Sequence, residues 1–180
     1  HFYFDANERY SYTNANGSLK WRHVFPNRMT GTFTGGYDHY DYLTKTEENP
    51  AEAYRLRFGI DQIFGKLDFT HYLNEKHILD FGGGTTYYRL NPGENLPSHP
   101  ESLIAPDKLQ KEQAMETYFY LADRWEINDR LSVSAGLRYM MFNSMGPRTY
   151  SLYDPTFLPS EGTETETKTV NGFRAFKTYH

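Results

Sequence analysis

The chain has 180 residues, 17% of them aromatic, and a formal net charge of −4 at pH 7. The acidic balance gives no electrostatic basis for a nucleic-acid partner, and the absence of cysteine excludes a disulfide framework and a cysteine-ligated metal. No run of about 18 or more apolar residues is present, which excludes a transmembrane helix. The high aromatic content favours strands over helices.

Aromatic and alternating segments predict three strands near the start of the chain. Residues 2–12 form the first, which ends at the Asn-Gly sequence within residues 14–17, a strong hairpin signal. Residues 19–25 alternate next and stop at a Pro-Asn pair, and residues 29–42 follow as a third strand. The sequence therefore predicts two successive hairpins in this part of the chain.

Residues 54–73 form a long predicted strand in which the apolar parity changes midway. Phe58 lies on one face together with its apolar neighbours, whereas Phe69 and its neighbours lie on the other. One extra residue in a strand flips every later side chain. We therefore expect a β-bulge at residues 64–66.

Residues 116–142 give the clearest strand pair, which is joined by a polar turn at residues 128–130. In the second strand one parity is apolar: Leu131, Val133, Ala135, Leu137, Tyr139 and Met141. The other parity carries small polar residues, a glycine and a charge. A strand that is apolar on one face, polar on the other and aromatic toward its ends fits the wall of an outer-membrane β-barrel.

Short and long connections alternate along most of the chain. Short turns are predicted at residues 26–27, 74–76 and 128–130, and long loops at residues 44–53, 91–113 and 143–171. The short link at residues 14–17 is the exception. The pattern predicts an all-β fold, an antiparallel transmembrane β-barrel segment of about eight strands with short periplasmic turns and long extracellular loops. The alternative is a soluble antiparallel β-sandwich that binds glycans.

No catalytic constellation can be assembled from the sequence, so we expect neither an enzyme nor a cofactor. His39 with Asp38 and Asp41 is a candidate metal site, but a solvated loop is the favoured interpretation. Residues 82–84 are three glycines without the lysine and helix of a phosphate loop, and they predict a close approach in a barrel wall. Charges expected to face the interior, solvated or paired across strands, are Lys66, Asp68, Asp80 and Arg138.

Aromatic residues supply the remaining candidates. Candidate membrane-interface aromatics are Trp21, Phe25, Tyr72, Trp125 and Tyr139, the alternative being the core of a soluble sheet. Candidate loop ligand contacts, with rings that could stack on a sugar, are Tyr150, Tyr153 and Phe157. Packing of that long loop on itself is the favoured alternative. Asp123 shares the parity of an apolar face, and its nearness to a turn places it at headgroup level.

Several segments resemble the barrel of TonB-dependent outer-membrane receptors. They are residues 118–125, residues 127–131 and the Ala-Gly-Leu-Arg-Tyr sequence at residues 135–139. Residues 77–84 and 19–25 are similar to other barrel strands of that family. The resemblance is to receptors of the Bacteroidetes type, relatives of the SusC-like transporters.

The resemblance implies energised uptake of a large solute across the bacterial outer membrane. Such receptors have about 22 strands around a plugged lumen, preceded by a TonB box. Residues 1–180 contain about eight predicted strands and neither plug nor TonB box, so we expect part of a barrel. The implied partners are outer-membrane lipid, TonB acting through the absent plug, and a surface lipoprotein.

Overall fold

The computed structural model describes residues 8–156, 158 and 163–180. Within these residues the chain forms strands and one short 3-10 helix, Pro50–Glu52. The strands are β1 (Glu8–Phe25), β2 (Met29–Thr46), β3 (Tyr54–Tyr72), β4 (His77–Pro97), β5 (Asp107–Lys108), β6 (Glu112–Asn128), β7 (Leu131–Met145), β8 (Arg148–Tyr153), β9 (Glu164–Val170) and β10 (Ala175–Tyr179). No helix in this part of the chain is long and apolar enough to cross a membrane.

One antiparallel sheet contains most of the strands, in the order β1-β2-β3-β4-β6-β7-β10, with β5 paired to the end of β4. Strands β8 and β9 form a separate hairpin. The large sheet is open, with β1 and β10 at its edges. The predicted fold class, an antiparallel sheet of about eight strands, is therefore confirmed.

The sheet is a single layer with almost no enclosed core. Among the described residues, the buried apolar side chains are Ala53 and Met145. A β-sandwich instead packs two sheets face to face and buries the alternating residues of both. The large apolar side chains of this sheet remain exposed, as are those of a barrel wall considered without its lipid.

The predicted hairpin at residues 14–17 is wrong. Strand β1 runs through this segment and pairs with β2 without interruption, from Glu8 opposite Thr46 to Phe25 opposite Met29. A hairpin at this point would leave half of β2 unpaired along the edge that faces β1. The hydrogen bonds of the full-length ladder therefore outweigh the local turn preference of the Asn-Gly pair. This result also removes the one exception to the alternation of short and long connections.

The predicted bulge at residues 64–66 is also wrong. Strand β3 pairs regularly through this segment with β2 and with β4. The register shift lies elsewhere, where Arg57 and Gly59 face Glu94 and Asn91 of β4. The change of parity seen in the sequence therefore needs an explanation other than an inserted residue.

Three short turns lie at the same end of the sheet, as predicted. The first contains Arg28, whose φ of 55° is in the left-handed region. In the second, the Asn74 side chain accepts hydrogen bonds from the backbone N–H groups of Lys76 and His77. In the third, Asn128 accepts from the N–H of Arg130. The longer connections, including the 3-10 helix and the β8–β9 hairpin, lie at the other end.

The short turns are staggered along the sheet. Pairing of β1 with β2 ends at Met29, and the cross-strand row through Met29 reaches Asp123 of β6. On β6 pairing continues to Asn128, five residues beyond this row. On β3 it ends at Tyr72, one residue beyond the row. The end of the sheet thus shifts by roughly one residue for each strand crossed.

Candidate membrane and interior faces

The two faces of the sheet differ in chemistry. Residues directly opposite each other on neighbouring strands lie on the same face, so the register extends each face across the sheet. We call the face that carries Leu121 and Leu137 the apolar face, and the opposite one the polar face. Leu121 is 54% exposed and Leu137 is 84% exposed. Apolar side chains this exposed over several strands mark a surface that another apolar phase covers.

The predicted interface aromatics fall at two levels and on two faces. Phe25, Trp21 and Trp125 lie on the apolar face within four residues of a short turn. Tyr139 lies on the same face, eight residues from the start of β7. Tyr72 ends β3 on the polar face, because it has the parity opposite to that of the apolar-face residues of β3.

The apolar face carries an upper aromatic ring, of which the sequence indicated only Tyr139. Its members are Tyr37, Tyr87, Phe119 and Tyr139, each eight to ten residues from the end of its strand at the short turn. A strand tilted by about 40° rises by about 2.6 Å per residue along the barrel axis, which places this ring about 21–26 Å above the turns. That height matches the apolar band of an outer-membrane barrel, about 25 Å tall. Counting residues from each short turn would have found it.

Asp123 lies on the apolar face with a histidine partner. Its carboxylate is 2.7 Å from Nδ1 of His77. The His77 ring stacks on Trp125, with centroids 5.7 Å apart. The pair lies three to five residues from the turn at the end of β6, beside an aromatic residue. The free-energy cost of a charge on a lipid-facing surface is lowest at this level, near the membrane interface.

The polar face carries a network of paired side chains. Asp68 accepts a hydrogen bond of 2.8 Å from the Tyr120 hydroxyl and lies 3.6 Å from Nζ of Lys66. Thr70 donates to Asp80 over 2.6 Å. The four charges predicted for the interior share this face. Of these, Lys66, Asp68 and Asp80 have partners on their own or neighbouring strands.

Glycine in β4 makes room for tyrosine rings on the polar face. A Cβ at Gly82 would lie 2.2 Å from the carbonyl oxygen of Leu67, and one at Gly84 would lie 2.9 Å from the Tyr118 ring. The Tyr118 ring in turn holds the guanidinium of Arg138, which lies 4.0 Å from its centroid. The glycines therefore allow neighbouring backbone and side chains to approach β4 closely within the wall, as the sequence predicted.

Above the upper aromatic ring the two faces exchange character. On the polar face the Tyr42 ring stacks on Tyr10 and is tilted against Phe58, with both centroid distances 6.4 Å. On the apolar face the same levels carry charges, such as Asp61 and Arg89, which are directly opposite each other. The parity change in β3 therefore marks the level at which the apolar residues move from one face of the strand to the other. No bulge is involved.

The candidate metal site does not assemble. His39 Nδ1 lies 2.8 Å from Asp61, which also accepts a 2.5 Å hydrogen bond from Tyr37. Asp38 lies on the opposite face from His39 and Asp41, because neighbouring residues of a strand alternate. In the described part of the chain, no group of three or more His, Asp or Glu side chains could hold a metal ion.

The predicted loop contacts do not form one surface. Tyr150 and Tyr153 both lie in β8, three residues apart, and so on opposite faces of the β8–β9 hairpin. Phe157 lies outside the described residues. Packing of the long loop on itself takes the form of this hairpin.

An open antiparallel sheet with an exposed apolar band, an aromatic ring and a polar opposite face defines the wall of an outer-membrane β-barrel. The family model described as "TonB dependent receptor-like, beta-barrel" matches residues 1–172, and the chain belongs to this family. The family acts in transport in the bacterial outer membrane and is not an enzyme family. No curated protein and no solved structure matched the chain.

Proposed function

We propose that this chain forms part of the wall of a TonB-dependent receptor that imports a large solute across the outer membrane. The apolar face contacts lipid, the polar face lines the lumen, and the short turns point to the periplasm. The observation that supports this orientation is the exposed apolar band between the short turns and the upper aromatic ring, opposite a hydrogen-bonded polar face.

The wall contributes a lining and performs no chemistry. Some of its interior charges are engaged within the wall, as in the contacts of Asp68 with Lys66 and Tyr120. In the proposed mechanism the solute binds to the loops and plug, and energised TonB pulls the plug to open a path. In this proposal the plug and the TonB box are supplied by other parts of the receptor.

The solute meets an aromatic surface at the outer end of the lumen. The rings of Tyr10, Tyr42 and Phe58 contact one another in sequence across β1, β2 and β3 on the interior side, above the level of the upper ring. Aromatic faces that remain partly exposed suit a solute with apolar or sugar rings. The resemblance of residues 118–139 to SusC-like transporters supports this choice and suggests a surface lipoprotein as partner.

The glycan-binding sandwich receives no support from the fold. A sandwich needs a second sheet over the apolar face, and the described residues form only a two-stranded hairpin outside the main sheet. The apolar face of β6 and β7 carries no such layer, and its leucines remain exposed.

Site-directed labelling tests the orientation. The sequence contains no cysteine, so single cysteines at Leu121, Leu137 and Ser134 give unique sites for a fluorescent label within it. In the full-length receptor reconstituted with lipids brominated in their acyl chains, labels at Leu121 and Leu137 should be quenched by lipid. A label at Ser134, on the polar face, should respond to a water-soluble quencher instead. Protection of the Leu137 label from both quenchers would contradict the proposal.

A further inference from the structure

We propose that the outer part of the polar face binds an oligosaccharide whose rings carry ammonium groups. The inference rests on the proposed function and names the class of solute for the aromatic surface described there. Three features support it: a row of side chains without partners, the aromatic rings beside this row, and the sign of the surrounding charges.

The row consists of Asn16 of β1, Asp38 of β2 and Gln62 of β3, which the register places side by side on the polar face. We call it the amide row. Within the described part of the chain, none of the three side chains makes a hydrogen bond or an ion pair. Planar amide and carboxylate groups present several donors and acceptors at fixed angles. The row can therefore bind neighbouring hydroxyls of a sugar ring.

Aromatic rings lie beside the amide row, on the side of the long connections. Tyr40 follows Asp38 by two residues and is 42% exposed, and Tyr12, opposite Tyr42, is 74% exposed. Residues two apart on a strand share a face and lie about 6.8 Å apart. The exposed ring faces provide apolar surface for a sugar ring, and their electron-rich π-systems attract ammonium groups.

The amide row continues into a depression on the polar face. Tyr88 lies opposite Gln62 and lines this depression, which has a volume of about 320 Å³. Much of its lining is apolar and comes from Ile60, Leu90, Ala114 and Phe142. From Asn16 to Tyr88 the surface crosses three strand spacings, about 14 Å, which is longer than one sugar ring. This length favours an oligosaccharide over a single sugar.

Positive and negative side chains separate along the polar face. In β1–β4, β6 and β7, every lysine and arginine on this face lies in the cross-strand row of Lys20 or nearer the short turns: Lys20, Arg22, Lys66, Arg124 and Arg138. Beyond that row, the described residues of these strands include no lysine or arginine on the polar face. They include four carboxylates, Glu8, Asp38, Glu112 and Glu116.

Two of these carboxylates lack a cationic partner beside the aromatic surface and the depression. Arg148 of β8 lies 3.0 Å from Glu112, which leaves Asp38 without an ion pair, while Glu116 accepts a 3.4 Å hydrogen bond from the neutral Tyr88 hydroxyl. Nζ of Lys177 in β10 lies 4.9 Å from the Tyr179 ring centroid. A carboxylate near aromatic faces favours a positive group and opposes an anionic one. An ammonium substituent on the sugar matches this surface.

The test measures binding to the detergent-purified full-length receptor by isothermal titration calorimetry at pH 5.5, where the probe amines are protonated and Asp38 is ionised. The probes are a glucosamine hexamer, its fully N-acetylated counterpart, a galacturonic acid hexamer and hexalysine. The variants are Asp38→Asn, Tyr40→Leu and Tyr40→Phe. The matched control is Glu126→Gln, which removes a carboxylate from the polar face close to a short turn. Near-UV circular dichroism confirms that each variant is folded.

We expect the wild type to bind the glucosamine hexamer about tenfold more tightly than its N-acetylated counterpart, and to bind the galacturonic acid hexamer least. Asp38→Asn should raise the Kd for the glucosamine hexamer about tenfold and leave that for the N-acetylated hexamer nearly unchanged. Tyr40→Leu should raise the Kd for both about fivefold, whereas Tyr40→Phe and Glu126→Gln should have little effect.

No binding of the glucosamine hexamer, equal binding of the three saccharides, or an equal loss in Asp38→Asn and Glu126→Gln would overturn the inference. Tighter binding of hexalysine than of the glucosamine hexamer would identify a peptide site and would overturn it as well. Failure of the proposed function gives a different result, because labels at Leu121 and Leu137 would then be protected from lipid. If lipid quenches those labels while no saccharide binds, only the assignment of the solute is refuted.

Discussion

Leu137→Arg is the sharpest test of the lipid-facing surface. Leu137 is 84% exposed in the sheet, so the substitution removes almost no packing within the chain. It lies six residues from the start of β7, or about 16 Å above the turn, close to the middle of a band about 25 Å tall. An arginine near the bilayer midplane on the lipid face costs about 2–4 kcal/mol.

The assay is reversible unfolding of the full-length receptor by denaturant in lipid vesicles. Ser134→Arg is the matched control, because it adds the same side chain to the same strand on the polar face. We expect Leu137→Arg to lower the free energy of unfolding by about 2–3 kcal/mol and Ser134→Arg to lower it by under about 1 kcal/mol. Equal effects of the two substitutions would refute the assignment of the faces.

Three further predictions concern the polar face and the outer connections. Gly82→Ala should destabilise the receptor by about 1–3 kcal/mol, because its Cβ would lie 2.2 Å from a backbone oxygen, whereas Gly65→Ala, with open space around it, should be tolerated in the same denaturation assay. Tyr120→Phe should cost about 1.5–3 kcal/mol, since the hydroxyl donates to a carboxylate on β3, and an unchanged unfolding midpoint would contradict this role. Lys45 holds the pKa of Glu47 below its ordinary value, so the stabilisation from this pair is present above the unfolded pKa and is lost as pH falls through the lowered folded pKa. Replacement of Lys45 by Gln should raise the pKa of Glu47, as measured by NMR titration.

The fold class and the hairpin of residues 116–142 could be predicted from sequence because a period of two is a local signal. The chain pairs as that signal predicts, with Phe119 opposite Tyr139. The Asn-Gly signal near Gly17 failed because a turn preference is also local, whereas the pairing of β1 is decided by the whole length of β2. A single segment contains no information about the strand that will lie beside it.

The upper aromatic ring was recognised only through Tyr139, for a different reason. Its members, such as Tyr37 and Tyr87, lie at similar distances from different turns, and they form a set only when the register is known. The supposed bulge in β3 shows the same limit. A reversal of parity has two explanations, an inserted residue or an exchange of environments, and the ladder on both sides of Gly65 decides between them.

The staggered short turns have a consequence for the closure of the barrel. A shift of about one residue, 3.4 Å, per strand spacing of about 4.8 Å means that the strands lean by about 35° when their turns share one rim. Trp21 and Tyr139 belong to one cross-strand row, five strand spacings apart, yet that slope separates them in depth by about 14 Å. One therefore belongs near the lower interface and the other at the upper. Every strand that completes the barrel must add the same offset, so the slope set within these 180 residues fixes the ratio of shear to strand number for the entire wall.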